Sequence, residues 1–321
     1  MKIALTGSTG FLGKELVIKL SSKTAEVIHI GRHEDKKNNP DYIYVKGIDS
    51  SSPFNLSAYN CDVLVHCAAR VHVMDESSKN PLEEFREVNT YGTLNLAQQA
   101  AEAGVKRFIF ISTIKVNGES TDLGNPFKPD DNYLPTDPYG LSKYEAEVGL
   151  RKIAKETGME VVIIRPPLVY GPGVKANFAS MMKWMNKGLP LPLGGIKGNK
   201  RSLVSVSNLV DLIVTCIDSP NAANQSFLVS DDDDVSTSQL LANMAVALDA
   251  PNRLLPISSS WFTLAAKLIG RPDISQRLCG SLQVDISKTK EMLNWQPHYS
   301  SAECMKKTAG AFLANLNKEK M

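Results

Sequence analysis

The chain has 321 residues, 43% of them hydrophobic and 22% charged, which is ordinary globular composition with ample material for a large core. A formal net charge of +2 gives no global electrostatic case for nucleic acid. The five cysteines (Cys61, Cys67, Cys216, Cys279 and Cys304) are an odd, scattered set without C-x-x-C spacing, which argues against a disulfide framework or a zinc site.

The opening MKIALTGSTG is too short an apolar run for a signal peptide and enters a glycine turn at once. No stretch approaches the ~18 apolar residues of a membrane span, so the cytoplasm is the expected location. Lys2 to Thr6 reads as a strand and Leu12 to Leu20 as a helix. Glu26 to Ile30 is a second strand. Val63 to His66 is a third, too apolar to alternate, as suits a strand covered on both faces. Pro81 to Gly104 reads as one long helix, Arg107 to Ser112 as a strand, Tyr139 to Thr157 as a helix and Glu160 to Arg165 as a strand. This βαβα rhythm predicts an α/β protein, a doubly wound parallel sheet with helices on both faces. The rhythm breaks near Arg165, where RPPLVYGPG and GLPLPLGGIKGNK introduce turns. The expected division is a dinucleotide-binding domain over 1–165 and a smaller, loop-rich substrate lobe over 166–321, with some of its segments returning to the first domain. A ligand cleft is expected between them, at the carboxyl ends of the strands. The run Asp231 to Asp234 lacks the spacing of a metal loop and reads as a solvated loop; no metal is expected. Trp261 to Ile269 is apolar enough to hint at a membrane-surface helix, though a packed helix or substrate lid is the preferred reading.

The first strand runs directly into Gly7-Ser8-Thr9-Gly10-Phe11-Leu12-Gly13 and then a helix. Glycines at this spacing let the backbone turn sharply and approach a pyrophosphate, and the helix offers it free amides and the positive end of its dipole. The second strand ends at Ile30-Gly31-Arg32. An acidic residue there would accept from a ribose 2′-hydroxyl; Arg32 instead offers a cation to a 2′-phosphate, favouring NADP(H) over NAD unless it is only a surface arginine. Asp49 can accept from the adenine amino group or simply cap its loop. Tyr139 and Lys143 are four apart and share one helix face. A nearby ammonium favours phenolate, so the tyrosine is expected to have a lowered pKa and to pass a proton to or from a sugar hydroxyl. Thr113, closing the strand FIFIST, presents a hydroxyl at the same sheet edge.

TGSTGFLG, the HCAA segment His66 to Ala69, Asn89 before GT, IST before VNG, YGLSK, RPPLVYGPG and the C-terminal DISKTKEMLNWQP, in that order, resemble the extended short-chain dehydrogenase/reductases over nearly the whole chain. The nearest relatives are nucleotide-sugar epimerases, reductases and dehydratases. The resemblance implies a Rossmann-type domain and a C-terminal lobe gripping the diphosphate of a nucleotide-linked sugar, UDP being the expected nucleotide. It implies Thr113, Tyr139 and Lys143 as the catalytic triad, Lys143 also holding the nicotinamide ribose. Phe11, Leu12, Ala68 and Pro166 would lie along the cofactor, with a backbone carbonyl at Val169. Asn177 and Arg201 would meet the sugar diphosphate, with Arg277 as a weaker second phosphate contact; a guanidinium forks onto phosphate oxygens. The helices over 81–104 and 139–157 correspond to the pair that forms a homodimer bundle in many relatives.

Sugar 4,6-dehydratases of this group carry an Asp–Glu or Asp–Lys acid/base pair straight after the catalytic threonine; here those positions are Ile114 and Lys115, which ranks dehydration low. Two reactions use the remaining residues: a C4 epimerase with retained NAD, or a C4 ketoreductase with exchangeable NADPH. Arg32, together with HCAARVHVM and GLPLPLGGIKGNKRS, which resemble bacterial polysaccharide enzymes making UDP-N-acetylquinovosamine, points to the reductase. A regulator that binds the dinucleotide without catalysis is the reading from another class; such proteins typically lose the tyrosine or lysine retained here.

Overall fold

The computed structural model describes residues 1–23, 25–71, 80–258, 260–261 and 272–319. Seven parallel strands form the main sheet: β1 (Lys2–Thr6), β2 (Glu26–Gly31), β3 (Tyr42–Tyr44), β4 (Val63–His66), β5 (Arg107–Ile111), β6 (Glu160–Arg165) and, arriving from late in the chain, β9 (Ser226–Leu228). Their spatial order is β3-β2-β1-β4-β5-β6-β9. The winding reverses between β1 and β4, so a crevice opens at their carboxyl ends. The apolar runs are explained by burial on both faces: all four residues of β4 and four of the five in β5 are buried. One face packs on α1 (Phe11–Ser21) and α6 (Val206–Asp218) through Leu16, Leu20, Leu209, Leu212 and Ile213. The other packs on α3 (Thr93–Glu102) and α4 (Pro138–Thr157) through Leu96, Ala97, Ala100, Ala146 and Leu150.

The single helix expected over 81–104 is interrupted. α2 (Pro81–Phe85) passes into a π-helical segment, Arg86–Gly92, before α3 begins. The wider turn adds a residue to the helix repeat and re-aims the side chains that follow it. Asn89 and Thr90 are thereby turned inward: Asn89 Nδ2 donates to Ser142 Oγ at 3.1 Å and Thr90 Oγ1 to the Ser142 carbonyl at 2.8 Å.

Past β6, β7 (Leu168–Tyr170) pairs in parallel with β8 (Leu203–Ser205) in a separate two-stranded sheet. α5 (Ala176–Asn186), α7 (Thr237–Ala247) and α10 (Ser301–Glu319) pack around it, with Phe178, Met182, Met185, Leu241, Met244 and Met305 in a core of their own. α8 (Pro272–Cys279) and α9 (Ser287–Leu293) complete the described helices.

The aspartate run is a loop, as expected, with Asp232 and Asp233 exposed, but it is not solvated throughout. Asp231 is buried, accepting from Tyr170 Oη at 2.7 Å, from the Ser205 amide at 2.9 Å and from Asn208 Nδ2 at 2.7 Å. Asp232 meets Lys290, Asp233 meets Ser301, and Asp234 meets Ser202 and Gln283. Four adjacent carboxylates thus face four different directions and knit the lobe together. Among the described residues no His, Cys, Asp and Glu group is arranged to hold a metal, and no helix is long and apolar enough to cross a membrane. Of the apolar stretch Trp261 to Ile269, everything after Trp261 lies outside the described residues.

Candidate active site

Gly7 leaves β1 with φ +71°, and Gly10 N returns to the Gly7 carbonyl at 2.9 Å. A Cβ on Gly7 would stand 2.9 Å from the Ala68 amide, and one on Gly13 would run into the Gly7 carbonyl oxygen. Both positions therefore need glycine: the loop lies flat against β4's end on one side and against α1 on the other. The N-cap of α1 is Gly10, which supplies no side-chain cap, so the first-turn amides are left to a ligand or solvent. This cradle fits a dinucleotide pyrophosphate. Phe11 and Leu12 open α1 half-buried, and Phe11 Cζ lies 3.6 Å from where a side chain on Gly171 would begin.

A hydrogen-bonded chain binds β1 to β4 behind the cradle. The Ala68 amide donates to Thr6 Oγ1 at 3.1 Å, Thr6 Oγ1 meets His66 Nδ1 at 2.7 Å, and His66 Nε2 meets Thr93 Oγ1 at 3.0 Å. Burial, and secondly the nearby Lys143, push His66 down to about 3, so the ring is neutral.

The two residues assigned to the adenosine end stand apart from this chain. Arg32 lies exposed just past β2, and Asp49 folds onto its own turn, Oδ1 accepting from the Ser51 amide at 3.0 Å and Ser51 Oγ at 2.9 Å. The loop-capping alternative for Asp49 is the one its geometry displays.

Asp137 and Pro138 decide where α4 starts. Asp137 is the N-cap, accepting from the Gly140 amide at 3.1 Å, and proline suits the first turn because it has no amide to satisfy. Tyr139 and Lys143 consequently sit on the first turns, facing the ends of β5 and β6. Pairing there continues past the strands, Ser112 N to Ile164 O at 2.8 Å and Ile114 N to the Pro166 carbonyl at 3.0 Å. Thr113 Oγ1 caps the following turn, accepting from the Lys115 amide at 3.4 Å, and its hydroxyl is a neighbour that eases the Tyr139 proton off. Lys143 is buried with its Nζ 4.0 Å from the centre of the Phe110 ring.

The expected lowering of the tyrosine pKa is not found. Burial, and secondly the Asp137 carboxylate, raise Tyr139 to about 12, against which the Thr113 hydrogen bond works. The lysine carries the perturbation instead: burial lowers Lys143 to about 7, opposed by Glu147 and Cys67. Burial thus works against the charged form of both residues.

Sequence reasoning passed over the group behind Lys143. Glu147, one turn on, is fully buried. It accepts from Ser112 Oγ at 2.7 Å, from Arg165 Nε at 2.9 Å and Nη2 at 2.6 Å, and from Arg151 Nη2 at 3.2 Å. Arg165 Nη1 goes on to Asn117 Oδ1 and the Pro129 carbonyl, both at 2.9 Å. Ser112 and Arg165 immediately precede Thr113 and Pro166, so one carboxylate pins both strand ends to α4. Two charged residues that the pattern placed inside buried elements were the available signal.

Arg201 and Arg277 come together: Arg201 Nη1 donates to the Arg277 carbonyl at 3.0 Å and to the Gly280 carbonyl at 3.2 Å. Burial lowers the Arg201 pKa, so this is no plain surface charge. Arg277 is exposed in the last turn of α8, and Asn177 is exposed at the start of α5. Ile114 is buried, and Lys115 Nζ is taken by Glu119 and Asp137, each at 3.0 Å, so the two positions after Thr113 offer no acid.

Residues 3–229 match the NAD dependent epimerase/dehydratase family. The chain belongs to that family. It is an enzyme, and its family is NAD-dependent. It is 56% identical over 317 residues to a UDP-glucose 4-epimerase of Vibrio cholerae, covering 98% of this chain and 97% of that one. A UDP-glucose 4-epimerase of Mycolicibacterium smegmatis is 27% identical over 97% of this chain and 98% of its own. Among solved structures, the UDP-glucose 4-epimerase of Thermotoga maritima with UDP-glucose superposes with a TM-score of 0.76 at 24% identity, covering 98% of this chain and all (100%) of that one, a likeness of fold. The full-length match to the Vibrio protein overturns the expectation of an NADP(H)-dependent C4 ketoreductase. That expectation leaned on Arg32 and on loop resemblances, and an exposed arginine past β2 does not select a reaction.

Proposed function

We propose that this protein is a UDP-hexose C4 epimerase that retains NAD. The observation that carries the proposal is the 56% identity along nearly the whole chain to a UDP-glucose 4-epimerase; Thr113 beside Tyr139, and Lys143 one helical turn on and buried against Phe110, support it. Bound NAD supplies a hydride acceptor that can give the hydride back. Gly7, Gly10, Gly13 and the first-turn amides of α1 hold its pyrophosphate, Ala68 and Pro166 line its path, and Lys143 meets its nicotinamide ribose. Tyr139 must first release its own proton to solvent, a loss that the positive nicotinamide ring of bound NAD would favour against the burial that raises its pKa; its phenolate Oη then takes the proton of the sugar C4 hydroxyl and returns it once the sugar has presented its other face. Thr113 bridges Tyr139 and the sugar oxygen. Arg201, Arg277 and Asn177 hold the diphosphate side of the substrate. This division of labour also supports a cofactor domain over 1–165 and a substrate lobe over 166–321 that lends β9 to the main sheet.

A homodimer in the cytoplasm is part of the proposal. Tyr91 and Val148 are exposed large side chains on the adjoining helices 86–102 and 138–157, the surface two copies would share.

The test has two readings. UDP-glucose is incubated with enzyme and no added cofactor, and the C4 epimer is followed by NMR; separately, the protein is denatured in acid and the released dinucleotide weighed by mass spectrometry. Epimer formation with near-stoichiometric NAD is expected, unchanged in Arg32→Ala. No epimer at saturating substrate overturns the reaction. NADP in place of NAD returns Arg32 to a 2′-phosphate role.

A further inference from the structure

The outer edge of the C-terminal lobe has a charge pattern of which the proposed reaction uses only Arg201. From Val174 to Val210 the sequence holds six basic side chains (Lys175, Lys183, Lys187, Lys197, Lys200 and Arg201) and no acidic one. The segment 250–261 adds Arg253 and again no carboxylate; Asp249, just before it, marks the patch's limit. The two segments lie side by side. Leu191 bridges Leu254, Gly195 bridges Ser258, and Arg253 Nη1 donates to the Gly188 carbonyl at 3.3 Å. Along this edge large apolar side chains face outward: Trp184 is 50% exposed and Trp261 67%, with Leu189, Leu255 and Ile257 exposed between them. Lys187 Nζ stands 5.6 Å from the Trp184 ring centre, so cation and indole share one spot. α5 itself is amphipathic, burying Phe178, Met182 and Met185 while showing Lys183 and Trp184.

We propose that this edge docks on an anionic lipid surface. Tryptophan and aliphatic tips ringed by lysine are the combination that partitions into a headgroup region: the apolar tips enter the interface and the cations meet lipid phosphates. A second copy is disfavoured by the charge, because a two-fold contact would set the same cationic patch against itself. Nucleic acid would leave Leu189, Leu255 and Ile257 without apolar partners. The proposal is independent of the reaction assigned above, since it concerns where the enzyme resides while acting.

The chain's three tryptophans make the test direct. Trp295 is buried, its Nε1 donating to Asp211 at 2.9 Å, and serves as the silent reference. The full chain is mixed with phosphatidylcholine vesicles with and without phosphatidylglycerol, then followed by sedimentation and by tryptophan emission. Sedimentation with the anionic vesicles only, a blue shift lost in W184F together with W261F, and weakening by salt are expected. Each lysine near such a surface is worth about fivefold in partitioning, so K183A with K187A lowers binding by roughly 25-fold, while epimerisation of a free nucleotide sugar is unchanged. No partitioning, or equal partitioning onto neutral vesicles, overturns the proposal. So does a concentration-dependent dimer, without vesicles, that W184A abolishes: the patch then belongs to a second copy. W184A and W261F are compared by thermal melting with the parent, so that unfolding is not read as lost docking.

Discussion

The start of α4 and the side of the C-terminal lobe proposed to meet the diphosphate hold their polar groups by opposite means. Around Lys143 the polar side chains are sunk between sheet and helix and bound to one another: Asn89 to Ser142, Ser112 and Arg165 to Glu147, and Arg165 to Asn117. Asn177 and Arg277 are exposed on short helices, while Arg201 reaches the Arg277 and Gly280 carbonyls. Chemistry on a C4 oxygen tolerates little displacement, so its residues are fixed before any ligand arrives. A diphosphate is a large, flexible, strongly charged target that cations at the surface can meet. Substitutions at the first region should therefore act on turnover and folding, and those at the second on substrate affinity.

The largest effect is expected at Tyr139. Tyr139→Phe removes the proton carrier and keeps the ring that packs edge-on against Phe85 at 5.9 Å. Turnover should fall by about 10²–10⁴-fold with little change in KM or melting temperature. Turnover within a few-fold of the parent at saturating substrate would move the proton step to another group.

Glu147 tests whether the buried region is fixed by its network. Glu147→Ala leaves the Arg165 guanidinium in the interior without its carboxylate. Loss of one partner of a buried ion pair costs about 3–5 kcal/mol, to be read from urea denaturation. If Glu147→Ala unfolds as late as the parent, the strand ends are held by backbone pairing alone and the contrast between the two regions loses its basis.

His66 sharpens the same point through pH. Its native pKa of about 3 lies below the ordinary 6.5, so the unfolded chain takes up a proton that the native state refuses. Its contribution is intact above pH 6.5 and is lost as pH falls toward the native value. Between pH 7 and pH 5 this amounts to about 2 kcal/mol of lost stability. His66→Gln should flatten that part of the profile. An unchanged slope in the variant would show that other groups titrate there.

Much of the cofactor end was legible in the sequence because each signal is local. A strand, three glycines and a helix occupy consecutive residues, and the i, i+4 spacing of Tyr139 and Lys143 needs only a helix to become a geometry. The Glu147 network was not legible, since it joins residues 18 and 35 positions apart whose alignment exists only once β5 and β6 are packed on α4. The π-helical turn at 86–92 was hidden for another reason. An apolar pattern of helical period does not report one inserted residue, so nothing in it turned Asn89 and Thr90 inward. The direction of the Tyr139 shift was missed because spacing gives neighbours but not burial, and burial outweighs the ammonium here. Arg32 misled for the converse reason: one residue at a strand end was asked to choose both a cofactor and a reaction.

The smallest effects belong to the lobe, and they separate its two exposed candidates from its anchored one. Arg201→Lys keeps the charge but cannot reproduce a guanidinium that reaches two carbonyls and still presents its other edge. A rise in KM of about tenfold, equivalent to about 1.4 kcal/mol, is expected with kcat nearly unchanged. Asn177→Ala removes one exposed neutral hydrogen-bonding group, worth about 0.5–1.5 kcal/mol when bound, so its KM should rise by less than that of the arginine variant. If Asn177→Ala instead lowers kcat and leaves KM alone, α5 reaches the reacting sugar and not its diphosphate. The lobe would then share the positional demands of the first region, and the division between a buried catalytic edge and an exposed phosphate grip would have to be redrawn at Ala176.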